Sequence, residues 1–138
     1  MKKILILCTG NSARSQMAEG LLKRITKGEY EMYSAGTQPS IVRPEAIKVL
    51  SEIGVDISAN RSKSVDEFAE EEIDYVLTVC DSARANCPYF PAKTRLIHHS
   101  FPDPAAVEGD EETRLEAFRK ARDEIKSYLP DFISEINK

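Results

Sequence analysis

Cys8, Arg14 and Ser15 lie on one short stretch, Cys8-Thr9-Gly10-Asn11-Ser12-Ala13-Arg14-Ser15, and their spacing sets up a definite chemistry. The apolar run Ile4-Leu5-Ile6-Leu7 delivers a thiol into a small polar loop, and an amphipathic segment begins at the far end of that loop. Successive backbone N–H groups in such a turn converge into an anion nest, to which the following helix adds its positive N-terminal end. Thr9, Gly10, Asn11, Ser12 and Ala13 are the nest residues, and Gly10 permits backbone angles that other residues resist. Arg14 can hold two oxygens of a tetrahedral oxyanion at once, which a lysine cannot. The same positive field stabilises Cys8 as the nucleophilic thiolate, and Ser15 is placed to donate a hydrogen bond to it. The ligand selected is a tetrahedral oxyanion such as phosphate, a phosphate ester or arsenate. C-x5-R alone is a common pattern; between a buried strand and a helix it marks a nucleophile.

Three cysteines, Cys8, Cys80 and Cys87, are an odd number, which favours reduced thiols able to cycle over a static disulfide framework. The bland alternative is that the later two are small buried hydrophobes. Asp103-Pro104 offers a carboxyl that could protonate a leaving oxygen, although such a pair is also a common turn. His98 and His99 are adjacent, point to opposite faces of a strand, and cannot easily share a metal. With no compact Cys/His cluster at zinc spacing, neither a metal nor a cofactor is expected. The acidic residues 110–112 suit the N-terminus of the last helix and are expected to face water.

These groups need elements to position them. Residues 3–7 read as a central parallel strand buried on both faces. From Ser15 onward Met17, Ala18, Leu21, Leu22 and Ile25 recur at helical spacing, with Gly28 as a stop. Residues 31–35 alternate as a second strand ended by Gly36, and Pro44 opens a helix whose stripe runs to Gly54. A polar loop over 55–65 and a short helix near 65–70 follow, then a buried strand over 73–79 with Cys80 at its C-terminal end. A polar connection over 81–93 leads to a fourth strand at 94–98. After Gly109 a last helix carries Leu115, Phe118, Ile125, Leu129, Phe132 and Ile136, and Pro130 is expected to kink or restart it.

Alternating strands and helices imply an α/β fold: three layers, a four-stranded parallel twisted sheet with right-handed crossovers, and helices on both faces. Ligands of such sheets bind outside the C-terminal strand ends, where Cys8 and Cys80 lie. The 138 residues fit a single domain spanning 1–138, with 41% hydrophobic and 30% charged residues. A net charge of −4 gives no reason to expect nucleic acid or an anionic membrane as partner. The apolar run after Met1-Lys2-Lys3 is too short for a signal peptide, and no stretch approaches membrane-spanning length, so a cytoplasmic monomer is expected.

The stretch Cys8-Thr9-Gly10-Asn11-Ser12-Ala13-Arg14-Ser15-Gln16-Met17-Ala18-Glu19-Gly20 resembles the signature of the low-molecular-weight tyrosine phosphatase superfamily. More closely it is similar to the thioredoxin-coupled arsenate reductases built on that fold. The likeness continues through Tyr33-Ser34-Ala35-Gly36, Val55-Asp56-Ile57-Ser58, Val79-Cys80, Cys87-Pro88, Asp103-Pro104 and Arg122-Asp123-Glu124-Ile125. Gln16 stands where the phosphatases usually have proline, and Ala105 where they have tyrosine. His99 and Pro102 depart from the tryptophan and second acid common in the reductases.

The resemblance implies a cascade in which Cys8 attacks arsenate with Asp103 assisting the leaving oxygen, and Cys80 then attacks Cys8 to release arsenite. Cys87 finally attacks Cys80, leaving a disulfide that thioredoxin reduces. Some relatives bind potassium beside the loop through residues matching Asn11, Glu19, Ser34 and a later aspartate. Lys63 replaces that aspartate, and its ammonium is expected in the cation position. Two alternatives stay open: a phosphotyrosine or small-phosphomonoester phosphatase needing Cys8 alone, and a non-catalytic oxyanion or redox sensor.

Overall fold

Residues 4–8 are buried in both phases of the strand alternation, so β1 (Lys2–Cys8) is covered on both faces and lies inside a sheet. The computed structural model describes residues 1–68, 70–80 and 95–138. It places β1 between β2 (Tyr30–Gly36) and β3 (Tyr75–Thr78), with β4 (Arg95–His98) beyond β3, in the order β2-β1-β3-β4. All three pairings are parallel. The register sets Cys8 beside Gly36 and Leu7 beside Thr78, so the loop after β1 opens at the C-terminal end of the sheet. β3 is shorter than the expected 73–79, yet its flanks stay tied to β1. The Asp74 carboxylate accepts from the Lys3 N–H at 2.8 Å, and the Val79 N–H donates to the Leu7 carbonyl at 2.9 Å. The expected connection over 81–93, Thr94 and Cys87 lie outside the described residues.

Helix α1 (Arg14–Thr26) packs on β2 and against α3 (Glu111–Ile136), which also covers α2 (Pro44–Ser51). α1 ends at Thr26: Lys27 takes a left-handed φ of 51° and Gly28 a positive φ of 84°, which closes the helix just where the glycine signal lay. The short helix expected near 65–70 is one 3-10 turn, Val65–Phe68, whose Phe68 ring packs on Tyr33 of β2 at 5.3 Å.

Asp110 caps α3, its carboxylate accepting from the Thr113 N–H at 2.9 Å, and that bond holds its pKa below the ordinary carboxylate value. Pro130 does not restart α3, which runs continuously from Glu111 to Ile136. The proline and Lys126, whose carbonyl loses a partner, are both on the exposed side, where water can replace the missing N–H. Leu129 and Phe132, both fully buried, hold the two sides of the break to the core. Two guanidinium groups clamp α3 to the end of α2. Arg122 donates to the Val49 carbonyl at 2.8 Å and to Glu52 at 2.9 Å, and Arg119 meets Glu52 at 2.8 Å. Arg119 first and Arg122 second hold the Glu52 carboxyl below its usual range. Among the described residues no helix is long and apolar enough to cross a membrane.

Phe118 is 1% exposed at the centre of the α3 contact. Phe118→Ala is expected to lower unfolding free energy by about 3–5 kcal/mol, read from urea denaturation midpoints; an unchanged midpoint would mean that α3 does not carry the core.

Candidate active site

The loop after β1 is shaped by where its carbonyls go. Those of Cys8, Thr9, Gly10 and Ser12 accept the backbone N–H groups of Thr37, Gln38, Ser40 and Arg43 at 2.8–3.2 Å. The N–H groups of Gly10, Ser12 and Ala13 meet no acceptor among the described residues, which leaves them available to an oxyanion at the mouth of α1. Gly10 is not the residue with the unusual backbone. Asn11 is, at φ 48°, a conformation asparagine tolerates better than most. Gly36, read in the sequence only as a strand end, is what lets the loop pass: a Cβ there would lie 2.4 Å from the Thr9 carbonyl oxygen and 2.8 Å from the Asn11 nitrogen.

Asn11 then sets the direction of every hydrogen bond reaching the thiol. The Lys63 backbone N–H, which can only donate, meets one Asn11 side-chain atom at 2.8 Å, so that atom is Oδ1. The opposite atom is the amide nitrogen, and it donates to Ser15 Oγ at 2.8 Å. With its oxygen engaged as acceptor, the Ser15 hydroxyl has its hydrogen free for Cys8 Sγ, 2.8 Å away. The Asn11 N–H supplies a second donor to the same sulfur at 3.2 Å. Two donors thus converge on this buried sulfur beside a helix N-terminus.

Gln16 was treated in the sequence as a family marker, but it is a structural member of this site. Fully buried, its amide nitrogen donates to the Asn11 backbone carbonyl at 3.2 Å, to Asn11 Oδ1 at 3.0 Å and to the Arg61 carbonyl at 3.0 Å, while Asn60 donates to its oxygen. Gln16 and Glu19 are polar residues within the wholly buried run 15–22 of α1, where such residues must find partners, and it is the fold rather than the sequence that shows the burial.

Arg14 is held from the far side by the segment after β4. Its Nη1 donates to the Phe101 carbonyl at 3.0 Å, and its Nη2 lies 3.7 Å from Asp103 Oδ2. The other Asp103 oxygen caps the 3-10 turn Pro104–Ala106 by accepting from the Ala105 N–H at 3.0 Å. The Asp103 side chain is 44% exposed, open to a leaving group and to water. Cys80 is buried just past β3, and its sulfur lies 3.3 Å from Thr9 Oγ1, so the second thiol sits against the loop of the first. Cys8 carries a free thiol. The two histidines diverge: His98 Nδ1 meets Thr78 Oγ1 at 2.7 Å, and the His99 ring stacks on Tyr128.

Lys63 is half-buried, and its ammonium donates to the Arg61 carbonyl at 3.0 Å. Burial pushes its pKa down while the negative charge of Glu19 pulls it up. Both lone pairs of Asn11 Oδ1 are engaged by Lys63 N–H and Gln16, so this oxygen has none to give a metal. Ser34 Oγ is buried without a hydrogen-bond partner among the described residues, but alone it does not make a cation site. The donor set does not fit a bound potassium ion.

Gly36→Ala drives a methyl into loop backbone. The variant is expected to lose phosphate protection of Cys8 against iodoacetamide and to alkylate more slowly at neutral pH; wild-type alkylation with full protection would show that the loop does not depend on this contact.

Comparison with known proteins agrees with this geometry. A family model described as low molecular weight phosphotyrosine protein phosphatase matches residues 3–138. An arsenate reductase of Halalkalibacterium halodurans is 43% identical over 131 residues, covering 95% of this chain and 94% of that protein. A solved structure of an arsenate reductase in its oxidised state is 31% identical, covers 99% of both chains and superposes with a TM-score of 0.83. A thioredoxin-dependent arsenate reductase of Corynebacterium glutamicum is 26% identical, with a TM-score of 0.70 over 98% of this chain and 63% of that one. The loop, the sheet order and these matches together place the chain in the low-molecular-weight phosphotyrosine phosphatase family.

Proposed function

We propose that this protein is an arsenate reductase that works by a three-thiol cascade and is regenerated by thioredoxin. The observation that carries the reading is the 3.3 Å contact between Thr9 Oγ1 and Cys80 Sγ, which holds a second thiol at the rim of the Cys8 loop. Hydrolysis of a phosphocysteine has no use for that thiol, whereas reduction of arsenate requires two electrons and a thiol pair supplies two.

In the first step the Cys8 thiolate attacks arsenic while the Gly10, Ser12, Ala13 and Arg14 donors hold the arsenate oxygens. Asp103 gives its proton to the departing oxygen, which leaves as water. Cys80 then attacks Cys8 Sγ. An S–S bond forms, the S–As bond breaks, and its electron pair stays on arsenic, which leaves as arsenite. Cys87, outside the described residues, attacks Cys80 and releases Cys8 as a thiolate. The resulting Cys80–Cys87 disulfide takes two electrons from a thioredoxin dithiol. Thr9 assists the second step by hydrogen-bonding to Cys80. The curated relative named arsenate reductase and the thioredoxin-dependent structural neighbour support this assignment. A reducing cytoplasm, where thiols stay free, suits such a cycle, and a monomer suffices for it.

A second reading, phosphatase activity on phosphotyrosine or a small phosphomonoester, is favoured by the loop itself, which would hold a phosphate as readily. Cys80→Ser separates the two. It is expected to abolish thioredoxin-coupled arsenate turnover while leaving aryl phosphate hydrolysis at the wild-type rate. Hydrolysis without arsenate turnover in the wild type would favour the phosphatase. Silence in both assays with phosphate still bound would leave an oxyanion sensor.

Because the donor set around Asn11 does not suit potassium and Lys63 already brings a positive charge toward Glu19, arsenate turnover should be the same in sodium and potassium salts at constant ionic strength. A clear rise in potassium would overturn this assignment of Lys63.

A further inference from the structure

The segment 99–104 carries Asp103 to the oxyanion loop, and three rings tether it. His99 stacks on Tyr128 of α3 with centroids 3.9 Å apart and planes inclined by 21°. Phe101 packs against both, 4.8 Å from His99 and 5.8 Å, edge-on, from Tyr128. On the sheet side the segment extends the edge of β3, with the His99 N–H donating to the Thr78 carbonyl and the Phe101 N–H to the Val79 carbonyl, both at 3.0 Å. That ladder ends at Phe101. Asp103 lies two residues beyond it, on a stretch where Pro102 has no N–H to give.

The surroundings leave this stretch room to shift. One hollow lies between Ser100, Phe101 and the α3 residues Lys120 and Glu124. A second lies between Pro102, Asp103, Val107 and the small residues Ala117 and Ala121. Beside these hollows, the ring cluster and the buried Pro104 hold the segment to α3. Stacked and edge-on rings prefer these separations and hold their partners at defined angles.

We propose that His99 and Tyr128 are positioning residues for Asp103. Their stack fixes the segment against α3, so the carboxyl stays within reach of Arg14 and of an oxygen leaving the bound oxyanion. The proposal rests on the reading of Asp103 as the proton donor. The Tyr128 hydroxyl takes no part, because only the ring makes the stack.

The test compares Tyr128→Leu, Tyr128→Phe and His99→Ala, each with Asp103 intact and with Asp103→Asn. The readouts are kcat and KM for arsenate with thioredoxin coupling, and the thermal midpoint. His99 is exposed, so its replacement leaves the core untouched and guards against a fold defect in Tyr128→Leu. With Asp103 intact, Tyr128→Leu and His99→Ala are expected to lower kcat about tenfold, a part of the roughly 10²–10⁴ that general acid catalysis contributes. Tyr128→Phe should retain the wild-type kcat. In the Asp103→Asn background the ring substitutions should lower kcat no further. An equal drop in that background, a loss in Tyr128→Phe as large as in Tyr128→Leu, or no loss in His99→Ala would overturn the proposal. If Asp103→Asn itself keeps the wild-type kcat, the reading of Asp103 fails instead. If the wild type does not reduce arsenate, the functional assignment fails, and aryl phosphate hydrolysis, whose leaving oxygen also needs a proton, reads the same variants.

Discussion

One backbone N–H decides the chemistry of the thiol. Lys63 donates it to the Asn11 side chain, and a main-chain nitrogen cannot reverse its role. Asn11 must therefore present its amide to Ser15, and Ser15 its hydrogen to Cys8. A chain of neutral groups, each free in isolation to point either way, is given one direction by the only member that has no choice. In a buried site this matters energetically, because a reversed chain would turn an acceptor toward the sulfur with no water to screen it. Gln16 makes the direction stiffer, tying Asn11 to the Arg61 carbonyl of the same segment that supplies the Lys63 N–H.

This constraint depends on the chain passing through a narrow place. Asn11 reaches its partners by adopting φ 48°, and the loop can do so beside β2 because Gly36 has no Cβ to meet the Thr9 carbonyl. The register of the sheet puts that glycine opposite Cys8. Pairing on both sides of β1, with β2 and with β3, holds the register, since a slip would have to be matched in both ladders at once. Packing inside the sheet is thus connected, through one missing methyl group, to the polarity of a hydrogen bond at the nucleophile.

The parts of this arrangement legible in the sequence are those governed by local rules. The apolar run of β1, the helical spacing after Ser15, Pro44 at the head of α2 and the apolar stripe of α3 each report their own element. Cys8, Arg14 and Ser15 were legible because their spacing on one loop is short-range. Gly10 is the residue whose type permits an unusual backbone, yet the left-handed conformation falls on Asn11, whose side chain is held by tertiary partners. Gly36 and Gln16 act through contacts with distant segments, and one sequence carries no record of those. Pro130 shows the converse: a strong local breaker overridden by the burial of Leu129 and Phe132 on either side of it.

The site is built to two degrees of rigidity, and the division follows the chemistry. Cys8 and its donors Ser15 and Asn11 are buried and hydrogen-bonded to one another, which suits groups that must be preorganised before charge develops. Asp103 and Cys80 are held otherwise. Asp103 is almost half exposed on a segment flanked by hollows, and Cys80, just beyond the end of β3, meets the loop through the Thr9 hydroxyl. In the proposed cascade these are the groups whose partners change, one giving up a proton and the other exchanging a hydrogen bond for a bond to sulfur. A phosphatase needs mobility only around the acid. A second thiol at the loop's rim, in contact with the Thr9 hydroxyl, is the feature of this architecture that hydrolysis leaves without a purpose.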